Sequence, residues 1–179
     1  MVEKRKVVFI GDSITECFNL KTFFQDDGYI NEGVSGYTTL DLLNRLETSL
    51  FQYQPDIVFL LIGTNDLELT ELTKEEIVHN IKTIVQKINQ RLPQATLYLQ
   101  SIYPVNYEIK PFSVGKRKNE DINWINHHIS QIKGAKYLDI HSFLKNKEGK
   151  LNSDYTYDGI HINDLGYQVI SHQLKEYLK

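Results

Sequence analysis

One cysteine, Cys17, is all that this 179-residue chain contains, so no intrachain disulfide can form. Long apolar runs are missing as well. Nothing approaches the ~18 consecutive apolar residues of a membrane span. The N-terminal MVEKRKVVFI joins a basic stretch to only four apolar residues, against the ~7–15 of a signal-peptide core. It reads as a strand, and a cytoplasmic location is the expectation. An excess of positive charge is absent too: 20 Lys and Arg face 23 Asp and Glu, a net charge of −3. The short run Lys116-Arg117-Lys118 is balanced by Glu120 and Asp121, so it reads as a solvated helix start and not as a nucleic-acid patch. There is no repeat, linker or low-complexity segment. With 41% hydrophobic and 24% charged residues, the composition is that of a globular protein. The length suits a single domain over residues 1–179, burying roughly two-thirds of its unfolded surface.

What is present is alternation. KVVFI (6–10) and DIVFLLI (56–62) are continuous apolar runs rich in Val and Ile, as strands covered on both faces require. TLYLQSI (96–102) and AKYLDI (135–140) are shorter versions, and YINEGV (29–34) reads as a weaker, edge strand. Between them run helical stripes: Leu43, Leu46 and Leu50; Ile77, Ile81, Ile84 and Ile88; Ile122, Ile125, Ile129 and Ile132; Leu165, Val169, Leu174 and Leu178. The second stripe opens on Thr73 with Glu76 three residues later, a capping box, and stops before Pro93. Alternation of this kind predicts βαβ units and a mostly parallel sheet between two helical layers. The segment from Tyr103 to Lys116 has no clear period and carries two prolines; it is the longest candidate loop, a lid, a binding wall or a surface excursion.

Polar residues gather where the strands end. VVFI runs into Gly11-Asp12-Ser13, the second strand into Asn31-Glu32-Gly33-Val34-Ser35-Gly36, and the third into Gly63-Thr64-Asn65-Asp66. Asp158-Gly159-Ile160-His161 precedes the last helix. In a parallel sheet the first three turns share the C-terminal edge and converge on one crevice. Each part has a bland role: Ser13 a helix N-cap, Gly36 a turn glycine, Asn65-Asp66 a polar turn, His161 a satisfied histidine and Asp158 a local cap. Together they supply an acyl transfer. A serine hydroxyl needs an imidazole to take its proton, and the imidazole needs a carboxylate to orient it; a D-x-x-H spacing presents both from one loop. The oxyanion needs main-chain N–H groups of small residues and a side-chain amide. Adjacent His127 and His128 lie in a helical pattern and face different ways, which argues against a metal site there.

GDSIT (11–15), NEGVSG (31–36), GTND (63–66) and DGIHIN (158–163) resemble the four blocks of the SGNH hydrolases, or GDSL esterase/lipase family, in the family's order. Gly166-Tyr167 resembles the continuation after the family's histidine. The resemblance runs from residue 6 to the C-terminal helix. It implies a flavodoxin-like three-layer α/β/α sandwich with a five-stranded, mostly parallel sheet. It also implies a catalytic triad of Ser13, Asp158 and His161, with an oxyanion hole from the N–H groups of Ser13 and Gly36 and the side-chain amide of Asn65. Gly33 lies in the same turn as Gly36; Gly36 follows the small Ser35 and precedes the helix, as in the family. The α/β-hydrolase signature G-x-S-x-G is absent, because GVSGY (33–37) has Tyr37 where the last glycine belongs.

The expected activity is that of a serine esterase cleaving short-chain, acetyl-type esters through an acyl-enzyme on Ser13. A lysophospholipase or thioesterase is the alternative, and a non-catalytic flavodoxin-like binding domain is the rival of another class. No metal or organic cofactor is required by this chemistry. The expected partner is a small ester, an O-acetylated sugar or a short acyl ester, with Tyr103, Tyr107 and Phe112 as candidate wall residues. Cys17 reads as a small buried residue, Gly11 as a tight-turn glycine and Asp12 as a tie between loops. The sequence leaves oligomeric state open.

Overall fold

The computed structural model describes residues 5–25 and 28–178; the basic start Met1–Lys4 lies outside them. Five strands are β1 (Val7–Gly11), β2 (Tyr29–Gly33), β3 (Ile57–Leu61), β4 (Thr96–Gln100) and β5 (Lys136–Leu138). They form one sheet in the order β2-β1-β3-β4-β5, every pairing parallel. The helices are α1 (Ser13–Glu16), α2 (Leu20–Phe24), α3 (Thr39–Ser49), α4 (Asp66–Leu69), α5 (Lys74–Arg91), α6 (Pro111–Val114), α7 (Asn119–Ile129), α8 (His141–Leu144) and α9 (Asp164–Lys175).

Alternation along the strands sorts the core into two layers. Val8, Ile10, Val58 and Leu60 face α3, α5 and α7, meeting Leu42, Leu46, Ile77, Ile81, Ile84, Ile122 and Ile125. Val7, Phe9, Ile57 and Phe59 face the other way, toward α1, α2, α8 and α9. There Phe9, Phe59 and Tyr98 stack across three neighbouring strands, with ring centroids 4.7 and 5.0 Å apart. This is the flavodoxin-like sandwich that the sequence predicts. β2 is indeed an edge strand. The capping box also forms, Thr73 and Glu76 each serving the other's backbone at the start of α5.

Two helical stripes differ from expectation. In α3 the fully buried position is Leu42, with Leu43 only half-buried. In α9 Leu165 is 54% exposed, and Tyr167, Ile170 and Leu174 point inward. The phase of α9 follows Gly166. A Cβ there would meet Ile162 Cγ2 at 2.6 Å and Tyr155 O at 2.8 Å, so the helix seats this face against the preceding loop.

The strand order puts a topological switch point beside β1, since the chain leaves β1 for β2 on one side and β3 lies on the other. Crevices of this kind, at the carboxyl ends of the strands, are where α/β sheets bind ligands. Gly11 ends β1 in register with Gly33 of β2 and Leu61 of β3. Gly11 is needed for closeness and not for a turn: a Cβ there would meet Leu61 O at 2.1 Å and Thr15 Oγ1 at 2.4 Å.

Candidate active site

Ser13 is the first residue of α1, and Asp12 is its N-cap, accepting a 2.9 Å bond from Ile14 N on Oδ1. The serine hydroxyl is therefore free of the capping role. Its Oγ lies 3.2 Å from His161 Nε2, across 148 residues of sequence. His161 Nδ1 lies 2.8 Å from Asp158 Oδ2. An ionised carboxylate only accepts, so Nδ1 carries the ring proton and Nε2 turns its lone pair to the serine.

The Asp158–His161 turn is built by its own backbone. Asp158 Oδ1 accepts from Ile160 N at 3.1 Å and His161 N at 2.8 Å. Burial pushes the Asp158 carboxyl up, but these bonds and that of the ring outweigh it and hold the group below its ordinary value. Tyr167, on the helix that follows, donates to Ile14 O at 2.7 Å and stacks on Phe18 at 4.8 Å. The histidine loop and the serine helix are thus joined directly, which explains the Gly166-Tyr167 pair.

The other two expected residues meet at Tyr37. Asn65 is buried, and its Nδ2 donates to Tyr37 O at 3.0 Å. Gly36, the neighbour of Tyr37, has φ +80°, and a Cβ built on it would find nothing within 4 Å. Gly33 differs on both counts: its N–H is used by Asn31 Oδ1 at 2.9 Å, and a Cβ there would meet Glu16 N at 2.1 Å. Gly33 lets β2 pack on α1, whereas Gly36 fronts open space. Asp66, next to Asn65, is fully buried and accepts from Thr39 N at 3.0 Å, fastening this turn to the start of α3. Burial pushes its carboxyl up against the bonds from Thr39.

Several side chains stand elsewhere than the sequence predicts. Arg117 is not on a solvated helix start. It is 5% exposed, and its Nε donates to Thr64 O at 2.9 Å and its Nη2 to Asn65 Oδ1 at 3.0 Å. A Lys-Arg-Lys run carries no signal of which cation turns inward, so sequence reasoning missed it. Asp12 does not tie loops together. Beyond the cap to α1, its Oδ2 is buried without a partner. Burial pushes this carboxyl up to about 7, against the Ile14 bond and the nearby Arg117 and His161. Tyr103 lines no open wall, being buried with its hydroxyl donating to Gln100 Oε1 at 2.8 Å. Phe112 is fully exposed and Tyr107 partly so. Cys17 is exposed at the end of α1 and not buried.

The 103–116 segment proves to be a brace. Val105 and Asn106 are buried, and Asn106 N donates to Gly159 O at 2.8 Å, beside Asp158. His127 is exposed while His128 stacks on Trp124, so the two do face different ways. Among the described residues, no group of three or more His, Cys, Asp or Glu side chains could hold a metal ion. None of their helices is long and apolar enough to cross a membrane. Cavities of 440 and 540 Å³ lie along α5, lined by residues such as Phe51 and Arg91 or Val78 and His128, and not by site residues.

The sequence profile of the GDSL-like Lipase/Acylhydrolase family matches residues 9–169, a span that contains all four blocks. The chain belongs to this family. As a GDSL-like acylhydrolase it is 29% identical over 179 residues to platelet-activating factor acetylhydrolase IB subunit alpha1 of Homo sapiens, covering 97% of this chain and 75% of that one. It is also 29% identical over 175 residues to N-acylneuraminate cytidylyltransferase of an Escherichia coli strain. There it covers 97% of its own length but spans only 40% of the relative's. Among solved structures, a Streptococcus pneumonia chain named for platelet activating factor shares 34% identity at a TM-score of 0.91, over 99% of this chain and 86% of that one. Family membership supports hydrolase activity and an ester substrate for this GDSL-like chain.

Proposed function

We propose that this chain is a serine esterase that removes short acyl groups, acetyl above all, through an acyl-enzyme on Ser13. One observation carries the reading: the continuous Ser13–His161–Asp158 relay at 3.2 and 2.8 Å, at the carboxyl edge of the sheet. His161 Nε2 takes the Ser13 proton as Oγ attacks the ester carbonyl. The negative charge on the carbonyl oxygen is received by the N–H groups of Ser13 and Gly36 and an N–H of the Asn65 amide. Collapse expels the alcohol, which takes the proton from His161. Water then gives its proton to Nε2, attacks the acyl carbon and releases the acid, restoring Ser13. Asp158 keeps the imidazole in the required tautomer and stabilises the imidazolium formed midway.

The short-acyl preference is supported by an open site, where the His161 side chain is 45% exposed. The acetyl group removed by the human relative, as its name states, points the same way. A cytoplasmic location belongs to the same proposal, since the lone and exposed Cys17 suits a reducing compartment.

Nitrophenyl esters from acetate to decanoate, given to the parent and to Ser13→Ala, test this. Acetate should be the best substrate, and the variant should lose activity by at least about 10³-fold. Equal rates for the two proteins would remove Ser13 from the mechanism. A decanoate optimum would replace the acetyl preference with the lysophospholipase reading.

A further inference from the structure

Arg117 is the one buried Lys or Arg among the described residues, and burying a guanidinium is unfavourable unless its donors are matched. Here they are. Nε serves Thr64 O, Nη2 serves Asn65 Oδ1, and Nη1 serves Val114 O at 2.9 Å and Ser113 O at 3.5 Å. Glu68 Oε2 lies 3.9 Å from Nη1. Burial pulls the guanidinium down from its ordinary value, opposed by Glu68, Asp12, Tyr107 and Asp158; arginine nonetheless stays charged in proteins.

We propose that Arg117 is a positioning residue for the oxyanion donor: it fixes which way the Asn65 amide faces and polarises it. A side-chain amide can turn over, exchanging its oxygen for its NH₂ group. A guanidinium only donates, so the flipped amide would set N–H against N–H. Oδ1 is therefore held at Arg117 and Nδ2 is turned away, where one hydrogen meets Tyr37 O at 3.0 Å. The second amide hydrogen has no protein acceptor among the described residues and is the one offered to substrate. A positive charge on the carbonyl end makes that hydrogen a stronger donor. Lysine does not reproduce this, because one ammonium cannot serve Thr64 O, Val114 O and Asn65 Oδ1 as a planar fork does.

The inference rests on Asn65 acting as an oxyanion donor, and the experiment separates the two. Ester hydrolysis is measured for the parent, Arg117→Lys, Asn65→Ala and the double variant, with a melting curve for each. Arg117→Lys should lower kcat by about 10- to 100-fold with KM within about threefold, less than complete removal of a donor. In the Asn65→Ala background the same change should cost less than about twofold, since there is no amide left to orient. Losses that multiply in the double variant would overturn the proposal, as would a folded Arg117→Lys enzyme with the parent's kcat. Asn65→Ala at full activity would overturn the donor reading and this inference together. Should Arg117→Lys not fold, the ¹⁵N order parameter of the Asn65 side-chain amide in the parent decides. A value near 0.85 is expected for a held group, and one below about 0.6 would overturn the assignment.

Discussion

The two halves of the site are held in opposite ways. The Asp158–His161 half is local: four consecutive residues, one carboxylate, and three bonds back to the turn's own ring and N–H groups. The Asn65 half is imported. Its amide is oriented by Tyr37, 28 residues earlier, and by Arg117, 52 residues later. A local device survives wherever its own few residues are kept. An imported one depends on the 103–118 segment being in place, and that segment also reaches the histidine loop through Asn106. The brace thus links the two halves, through Arg117 to Asn65 and through Asn106 to the histidine loop.

The largest effect should come from breaking the local half. Asp158→Asn keeps an oxygen for the N–H groups of Ile160 and His161 but puts an amide where the ring donates. A loss of about 10³–10⁴-fold in kcat is expected, from the wrong imidazole tautomer. A loss under tenfold would mean that the loop backbone alone orients His161.

Next comes the imported half. Asn65→Ala should cost about 10²–10³-fold in kcat with little change in KM. Asn65→Asp sharpens the comparison, because it still accepts from Arg117 but offers no donor to the oxyanion. The two variants should be about equally slow; an active Asn65→Asp enzyme would reduce Asn65 to a tie for Arg117.

A smaller effect lies between the halves, at Asp12. In the fold it keeps its proton up to about pH 7, whereas its ordinary value is 3.8. Between those values the folded state binds the extra proton, so stability falls as pH rises through the window and is lowest above it. Asp12→Asn removes this titration. Its melting temperature minus the parent's should increase from pH 5 to pH 8, and a flat difference would mean that the carboxyl is ionised in the fold.

The smallest effect is a control for local devices away from the site. Thr73→Ala removes half of the capping box of α5 and should lower stability by about 1 kcal/mol, with kcat/KM unchanged. A fall in activity would show that α5 transmits strain to the Asn65 turn, through Asn80 and Thr39.

The local half was legible because its information is short-range. Asp158 and His161 lie three apart, and such spacing on a turn leaves few ways to arrange the two side chains. The place of Ser13 was legible because the apolar strand that ends at Gly11 carries it to the carboxyl edge of the sheet. The parallel sheet followed from the alternation of buried runs with helical stripes, whereas the strand order β2-β1-β3-β4-β5 is read from the fold. Arg117, Asp12 and Tyr103 were not legible. Each sits in a run whose period or charge allows either direction, and inward or outward is decided by what lies opposite.

By itself, then, the sequence determined the parallel sheet, the edge at which its loops converge, and the Asp158–His161 turn, because strand hydrophobicity and three-residue spacing act over a few ångströms of chain. Only the tertiary structure decided that Arg117 turns inward onto Asn65, that Asp12 is sealed from water, and that the Gly33 N–H is taken by Asn31. Those outcomes depend on which donors and acceptors distant segments bring together when water is excluded, and no local pattern encodes that meeting.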